Sequence, residues 1–220
     1  MQVSPDVIAS HPGAVRATAT ISGMTEFDPA ETPAWAVEEV RIHDYDPGWP
    51  ARAEVFAGEL RRLLADRLTG PVVHVGSTAV PHIRAKPVID LQATALDPAA
   101  TIGDTRDALA AASWFFVPRE LDRQPWRWFV VRADSAGRHR LAHLHLMRPD
   151  EPRWGQQIAF RDRLRDDATL RDEYADLTAA AARRFGRDRE AYTAAKRAFV
   201  RRVLDGAPPI RKPPPHRRSG

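Results

Sequence analysis

The feature that most restricts the fold of this chain is a pair of short apolar segments, VVHV and PVIDLQAT, within residues 72–94. Each segment is typical of a β-strand, and a loop that opens with Gly-Ser separates them. Side chains alternate along a strand, so Asp90 and Gln92 share one face while Ile89 and Leu91 share the other. A carboxylate on an otherwise apolar strand needs a partner or a cleft. The pattern therefore predicts a sheet with one face reserved for polar groups.

A second pair of strands is predicted downstream, in WRWFVVRA and RLAHLHLM, and the polar hairpin loop DSAGR joins them. In RLAHLHLM, His143 and His145 share a face and the leucines take the opposite one. In WRWFVVRA, Trp126 and Trp128 are predicted to share a face, either as core residues or as a stacking platform.

Helices are predicted on both sides of these strands. One follows the turn DYDPGWP and stops at Gly70-Pro71, and another opens at Asp97-Pro98. From Trp154 to Leu204, apolar positions recur at helical spacing and predict three further helices. The segment WAVEEVRI, residues 35–42, is predicted to be a short strand. The fold class is mixed α/β (α+β), with flanking helices and a helical C-terminal portion.

Composition divides the chain into three parts. Residues 1–34 are predicted to be a flexible extension, residues 35–205 the domain with its helical part from about 154, and residues 206–220 a disordered, basic, Pro-rich tail. Four of the 33 basic residues lie in that tail, which leaves 29 to match the 29 acidic residues of the rest of the chain. A charge-balanced body without a basic stripe argues against nucleic acid as the main partner.

Several classes of protein are excluded by the sequence. Without cysteine, the chain has no disulfide, no thiolate zinc site and no thiol nucleophile. No apolar run approaches the roughly 18 residues of a membrane span, and the first residues lack the pattern of a secretory signal. We therefore expect a cytoplasmic protein without membrane contact.

The loop between the first two strands carries groups that suit an anion. Glycine at 76 permits close backbone approach, and Ser77 and Thr78 offer hydroxyls beside exposed backbone N–H groups, as phosphate oxygens require. Arg84 and Lys86 add positive charge. A Gly-Ser turn is also an ordinary way to end a strand, so each feature has a structural explanation as well as a functional one.

The polar residues of the strands suit a metal or a proton. Asp90 can bind a divalent cation or accept a proton. His143 and His145 suit a transition metal or proton transfer, and His74 is a candidate third ligand for zinc.

Three segments resemble the GrpB family: VVHVGSTAVPHIRAKPVIDLQ, HLHLMRPDEPRWGQQIAFRDRLRDD and DREAYTAAKRAF. That family in turn resembles the polymerase-beta-like nucleotidyltransferases, in which a Gly-Ser turn precedes an acid–x–acid pair in a strand. The resemblance implies that Gly76 and Ser77 hold nucleotide phosphates and that Asp90 and position 92 hold Mg²⁺. ATP or another nucleoside triphosphate is then the substrate, and a hydroxyl or amine of a small acceptor attacks its α-phosphorus.

The third segment contributes Tyr192 and Lys196, which lie four residues apart and are predicted to share a helix face. They are candidates for contact with a phosphate or a base.

Position 92 departs from the pattern because it is Gln, which brings no charge to a metal site. Three functions therefore stay open. The first is a nucleotidyltransferase that uses Asp90 and Gln92 with His143 or His145 as base or ligand. The second is a nucleotide-using ligase or transferase of small-molecule metabolism. The third is a non-catalytic nucleotide- or phosphate-binding module that assists a partner protein.

Overall fold

A five-stranded mixed sheet forms the centre of the protein in a computed structural model that describes residues 33–206. The predicted extension 1–34 lies outside the described residues up to residue 32, and the predicted tail 206–220 lies outside them from residue 207. The strands are β1 (Val73–Val75), β2 (Ile89–Thr94), β3 (Trp114–Val117), β4 (Trp128–Ala133) and β5 (Arg140–Met147). The helices are α1 (Trp49–Leu64), α2 (Pro98–Ala111), α3 (Arg119–Asp122), α4 (Arg153–Asp166), α5 (Ala168–Phe185), α6 (Arg189–Ala194) and α7 (Arg197–Asp205).

The strands lie in the order β1-β2-β5-β4-β3, and only the central β2–β5 pair is parallel. The predicted mixed α/β class is confirmed. In the β2–β5 register Asp90 lies opposite His143 and Gln92 lies opposite His145. The alternation predicted for each strand therefore brings these four polar side chains together on one face of the sheet.

The other face is apolar and packs against α1 and α2. It buries Leu91 on β2 and Leu144 on β5 completely, against Leu60 and Leu64 of α1. Each buried leucine stabilises the fold by about 1.5–3 kcal/mol relative to an exposed one, so this layer holds the sheet together. The start of α2 follows the sequence prediction, because Asp97 caps it by accepting from Ala100 N at 3.0 Å.

The polar face is covered by the C-terminal helices, which carry their own apolar cluster. Phe160, Tyr174 and Phe199 stack edge to face there, and Val80 and Ile83 of the β1–β2 loop pack into the same cluster. This packing anchors the Gly-Ser loop beneath the helical portion.

Residues 33–44, called the strap below, cross the same side of the molecule. The predicted strand 35–42 is wrong: the strap has a single 3₁₀ turn at Ala34–Ala36 and one isolated bridge from His43 to Ala85. Along most of the strap, no strand of the described chain lies beside it. Its β-branched residues therefore have no cross-strand neighbours to pack against.

The strap joins the sheet to the C-terminal helices. Arg140 of β5 donates to two strap carbonyl groups, Val40 N donates to Gly186 O at 2.8 Å, and Arg189 of α6 donates to Glu38 O at 2.5 Å. These bonds fix Arg140 and Arg189 on the polar side of the sheet.

Two elements differ from the sequence prediction. Strand β3 was not predicted, because WFFV follows α2 after only two residues and lacks its own turn signal. The C-terminal portion has four helices rather than three, because the chain is interrupted at residues 195–196 between α6 and α7.

Candidate functional site

Gly76 ends β1 and touches the carboxylate of Asp90. Its φ of +71° and ψ of −171° lie in a region that is essentially restricted to glycine. A Cβ at this position would lie 2.6 Å from Asp90 Oδ2. Glycine is therefore required here both by the backbone and by the close approach of the acid.

The two hydroxyl residues of the loop have different surroundings. Thr78 is buried, and its Oγ1 hydrogen-bonds His74 Nε2 at 3.0 Å and donates to Val88 O at 3.4 Å. It holds the loop to the start of β2. Ser77 is half-buried next to Tyr174 of α5. Burial raises the pKa of Tyr174, while the neighbouring Ser77 hydroxyl opposes the rise.

Two arginines of α4 hold the ends of this loop. Arg161 donates to His74 O at 2.8 Å, and Arg165 donates to Ala79 O at 2.9 Å. The sequence does not reveal these residues, because their role depends on the packing of α4 over β1. Their donations to the two carbonyl groups position the Gly-Ser turn.

Asp90 lies at the centre of the polar face. Its Oδ1 is 2.8 Å from His143 Nδ1 and 3.6 Å from His145 Nε2. Burial by itself would raise the pKa of Asp90, but the charge of Lys86 and the ring N–H groups of His143 and His145 hold it well below its usual value. The carboxylate is therefore ionised, and its side chain remains 19% exposed.

The histidines are neutral for a related reason. Burial, with a contribution from Lys86, holds the pKa of His143 well below its usual value, and burial with the charge of Arg127 lowers the pKa of His145. His143 Nε2 is buried without a hydrogen-bond partner in the described part of the chain. It is therefore a lone-pair acceptor next to an ionised acid.

His74, the third predicted zinc ligand, lies apart from these two histidines. The group whose ligand atoms lie within 4.8 Å of one another consists of Asp90, His143 and His145. Burial lowers the pKa of His74 to about 4, so its ring is neutral and serves Thr78.

Arg127 contacts His145 at Nδ1, the ring nitrogen that does not face Asp90. Its Nη1 lies 2.6 Å from His145 Nδ1, and its guanidinium forms a bidentate pair with Asp122 at 2.5 and 2.9 Å. Trp126 stacks on the same imidazole with 8° between the rings. The sequence did not identify Arg127, because only the chain path after α3 brings it to the histidine.

The predicted common face of the two tryptophans is wrong. Trp126 precedes β4 and lies on the polar side against His145, whereas Trp128 packs with the apolar layer and Arg119 covers its ring at 4.3 Å. Strand alternation does not apply to Trp126, because β4 begins only at Trp128.

The predicted cations separate into two groups. Lys86 and Lys196 lie on the polar side, where the charge of Asp90 raises the pKa of both. Arg84 is exposed and lines a shallow depression with Arg183 and the strap instead. Spacing could not separate Arg84 from Lys86, because the loop that carries them is not a regular strand.

Lys196 lies over the ring of Tyr192, with Nζ 3.9 Å from the centroid. Burial and the charge of Lys86 lower its pKa to about 7. Burial also lowers the pKa of Lys86, which Asp90 raises in part. Within residues 33–206 neither lysine has an ion pair or a hydrogen bond from its ammonium group.

Gln92 is fully buried, and its Nε2 donates to Trp154 O at 3.0 Å. Its Oε1 therefore points into the interior, where it has no partner among the described residues. The Asp90–Gln92 pair fits Mg²⁺ poorly: it supplies one carboxylate, whose Oδ1 already accepts from His143, beside the competing cation of Lys86. We therefore assign no step to Mg²⁺.

The family follows from a match over most of the chain. Residues 39–206 match the family model described as GrpB protein. The chain belongs to the GrpB family. The matched range includes every site residue described above. In the described part of the chain, no helix combines the length and hydrophobicity that crossing a membrane requires.

Individual GrpB relatives add further comparisons. A UPF0157 protein of Pseudomonas aeruginosa is 35% identical over 77% of this chain and 68% of its own length. A protein of Mycolicibacterium paratuberculosis named dephospho-CoA kinase is 31% identical over 74% of this chain but only 44% of its own length. The crystal structure of the conserved protein GrpB from Enterococcus faecalis has a TM-score of 0.63 at 22% identity, covering 75% of this chain and 95% of that one, and shares the fold.

Proposed function

We propose that this GrpB protein transfers a group from a nucleotide, with ATP or another nucleoside triphosphate as donor, to a small-molecule acceptor. The observation that carries the proposal is the pair of half-buried lysines, Lys86 and Lys196, whose ammonium groups have no carboxylate within ion-pair distance in the described chain.

Buried charges in proteins are normally paired, because an unpaired charge in a low-dielectric interior is costly. Asp90 compensates only part of this charge, and it lies beyond ion-pair distance of both lysines, whose ammonium groups form no ion pair in residues 33–206. Lysine is a common ligand of phosphate groups. A polyphosphate between Lys86 and Lys196, next to the Gly76–Ser77 turn, would neutralise both cations and raise their pKa values.

Asp90 and His143 supply the proton acceptor of the proposed transfer. The carboxylate accepts from Nδ1–H, which leaves the lone pair on Nε2 for a proton. As the acceptor oxygen or nitrogen bonds to the α-phosphorus, its proton passes to His143 Nε2 and pyrophosphate leaves with the bridging electrons. Neutralisation of Lys86 by the bound phosphate would raise the pKa of His143 toward the useful range.

The relatives offer limited support for a nucleotide. One of them carries the name dephospho-CoA kinase, but the chain matches less than half of that protein. The name therefore suggests a nucleotide-related role for this chain without identifying its reaction.

Binding of ATP measured by calorimetry tests the proposal, with inorganic tripolyphosphate as a second probe and with EDTA present or absent. We expect Lys86→Met and Lys196→Met to weaken binding at least tenfold. Arg84→Met is the matched control, because Arg84 lies two residues from Lys86 but is exposed, and it should bind like the wild type. Equal affinities in all four proteins would refute the phosphate site.

Release of pyrophosphate with a panel of amines, alcohols and carboxylates separates transfer from binding. Release that depends on an acceptor supports a transferase or, with a carboxylate acceptor, a nucleotide-using ligase. Tight binding of ATP without release by any acceptor would favour the non-catalytic module and overturn the transfer step.

A further inference from the structure

Arg127 determines where the proton of His145 lies. A guanidinium group has N–H donors and no acceptor. Since Arg127 Nη1 lies 2.6 Å from His145 Nδ1, that nitrogen must present its lone pair. The proton of the neutral ring is therefore on Nε2, the nitrogen that faces Asp90 Oδ1 at 3.6 Å.

The tautomer of His143 follows from the same reasoning. Asp90 is ionised and only accepts, so His143 Nδ1 must carry the proton that it shares with Oδ1 at 2.8 Å. The two rings thus have opposite tautomers, and both N–H groups are directed at one carboxylate oxygen. Of the four nitrogens of these two rings, only Nε2 of His143 remains an unpartnered acceptor in the described residues.

We propose that Arg127, held by Asp122, is a positioning residue that fixes the tautomer of His145, so that both rings direct an N–H group at Asp90 and His143 Nε2 is the one ring nitrogen left with an unpartnered lone pair. The chain Asp122–Arg127–His145–Asp90–His143 is continuous across three elements. Its parts are the buried ion pair at 2.5 Å and the contacts at 2.6, 3.6 and 2.8 Å. Its role in transfer depends on the proposed function, whereas the tautomers themselves do not.

Arg127 also makes the trio a poor site for a transition metal. Asp90, His143 and His145 have ligand atoms close enough for one ion. A metal on His145 Nε2 would move the ring proton to Nδ1, directly against the N–H of Arg127. Metal-binding histidines instead direct their second N–H at a carboxylate, a carbonyl or a water.

Long-range ¹H–¹⁵N NMR of the ¹⁵N-labelled protein reads the tautomer of each ring, with His143→Gln and His145→Gln spectra to assign the two among eight histidines. We expect His145 to be protonated at Nε2 and His143 at Nδ1. Arg127→Met should populate the Nδ1–H form of His145, and Arg127→Lys should retain the wild-type form. Arg153→Met is the control, because its guanidinium lies near Trp126, 5.8 Å from the ring centroid, and has no hydrogen bond to His145.

A wild-type His145 protonated at Nδ1, or unchanged tautomers in Arg127→Met, would overturn the proposal. If Arg127→Met does not fold, the wild-type spectrum and Arg127→Lys decide it. Stoichiometric binding of Co²⁺ to the wild type, seen as paramagnetic shifts of both ring signals, would overturn it as well. In an active enzyme, Arg127→Met should lower kcat at least tenfold with little change in the KM for ATP. If neither the wild type nor any variant transfers a group, while the tautomers are as expected, only the proposed function is refuted.

Discussion

The two faces of the central sheet are built from the same strands but serve different purposes. Leu91 and Leu144 point to α1 and α2 and are fully buried among apolar side chains. Their sequence neighbours Asp90 and His143 point to the opposite side and pair with each other at 2.8 Å. Apolar packing explains the first face completely. The second face carries buried polar atoms without partners in the described chain, which packing alone does not explain.

The largest effect that separates the faces should appear in transfer rather than in stability. We expect His143→Leu to lower the rate of group transfer by about 10²-fold or more, because it removes the proton acceptor. The free energy of unfolding should fall by only about 1–3 kcal/mol, since Asp90 loses one hydrogen-bond partner but keeps its contact with solvent. Initial rates and urea unfolding measure the two quantities, and a variant that loses much stability but transfers the group at the wild-type rate would contradict the division of roles.

The opposite result is expected one residue further along β5. Leu144→Ala should lower the free energy of unfolding by about 2–5 kcal/mol, because it opens a cavity in a fully buried layer. ATP affinity, measured under conditions where the variant is folded, should remain within about twofold of the wild type. A large loss of affinity with little loss of stability would mean that the apolar face contributes directly to the site.

Gly76 tests the contact between the loop and the polar face. Gly76→Ala should cost about 1–3 kcal/mol in strain from its backbone conformation, and it should also displace Asp90. Gly137→Ala is the matched control, because Gly137 also has a positive φ, of +65°, but open space where a Cβ would lie. Urea unfolding should show a larger loss for Gly76→Ala, and only this variant should weaken ATP binding. Equal losses in both would show that the approach of Asp90 is unimportant.

The most gradual effect concerns the pH dependence of stability. The pKa of Lys196 is about 7 in the folded protein, against an ordinary value of 10.5. Between these values the unfolded chain binds a proton that the folded protein does not, so stability should rise with pH across this window. The slope is at most about 1.4 kcal/mol per pH unit. Chemical unfolding at several pH values should show that Lys196→Met has lost this rise, and parallel curves for variant and wild type would contradict the lowered pKa of Lys196.

Local alternation in the sequence was sufficient to predict the arrangement of the sheet's two faces. The residues of β2 and β5 alternate without interruption, so Asp90 and Gln92 on one strand and His143 and His145 on the other could be assigned to a face directly. The apolar partners of these strands followed from the same period of two.

The remaining contacts of the site depend on the path of the chain between regular elements. Arg127 reaches His145 from a turn, and Tyr174 reaches Ser77 from a helix almost a hundred residues away. Trp126 was placed by spacing in a segment that is not a regular strand, where the period of two does not hold, and Arg84 was assigned to the anion site only from its position in the loop. Local pattern therefore determines the face of the sheet to which Asp90 points, whereas tertiary packing determines which charged groups surround it.

The strap, at the beginning of the domain, affects the charges around the site on the polar face. Its carbonyl groups hold the guanidinium groups of Arg140 and Arg189, and both cations act on Lys86. A shortened version of the protein that starts at α1 would keep every strand of the sheet, yet it would release these two side chains. We expect such a shortened protein to have a different electrostatic potential at Asp90, while its circular dichroism spectrum remains almost the same.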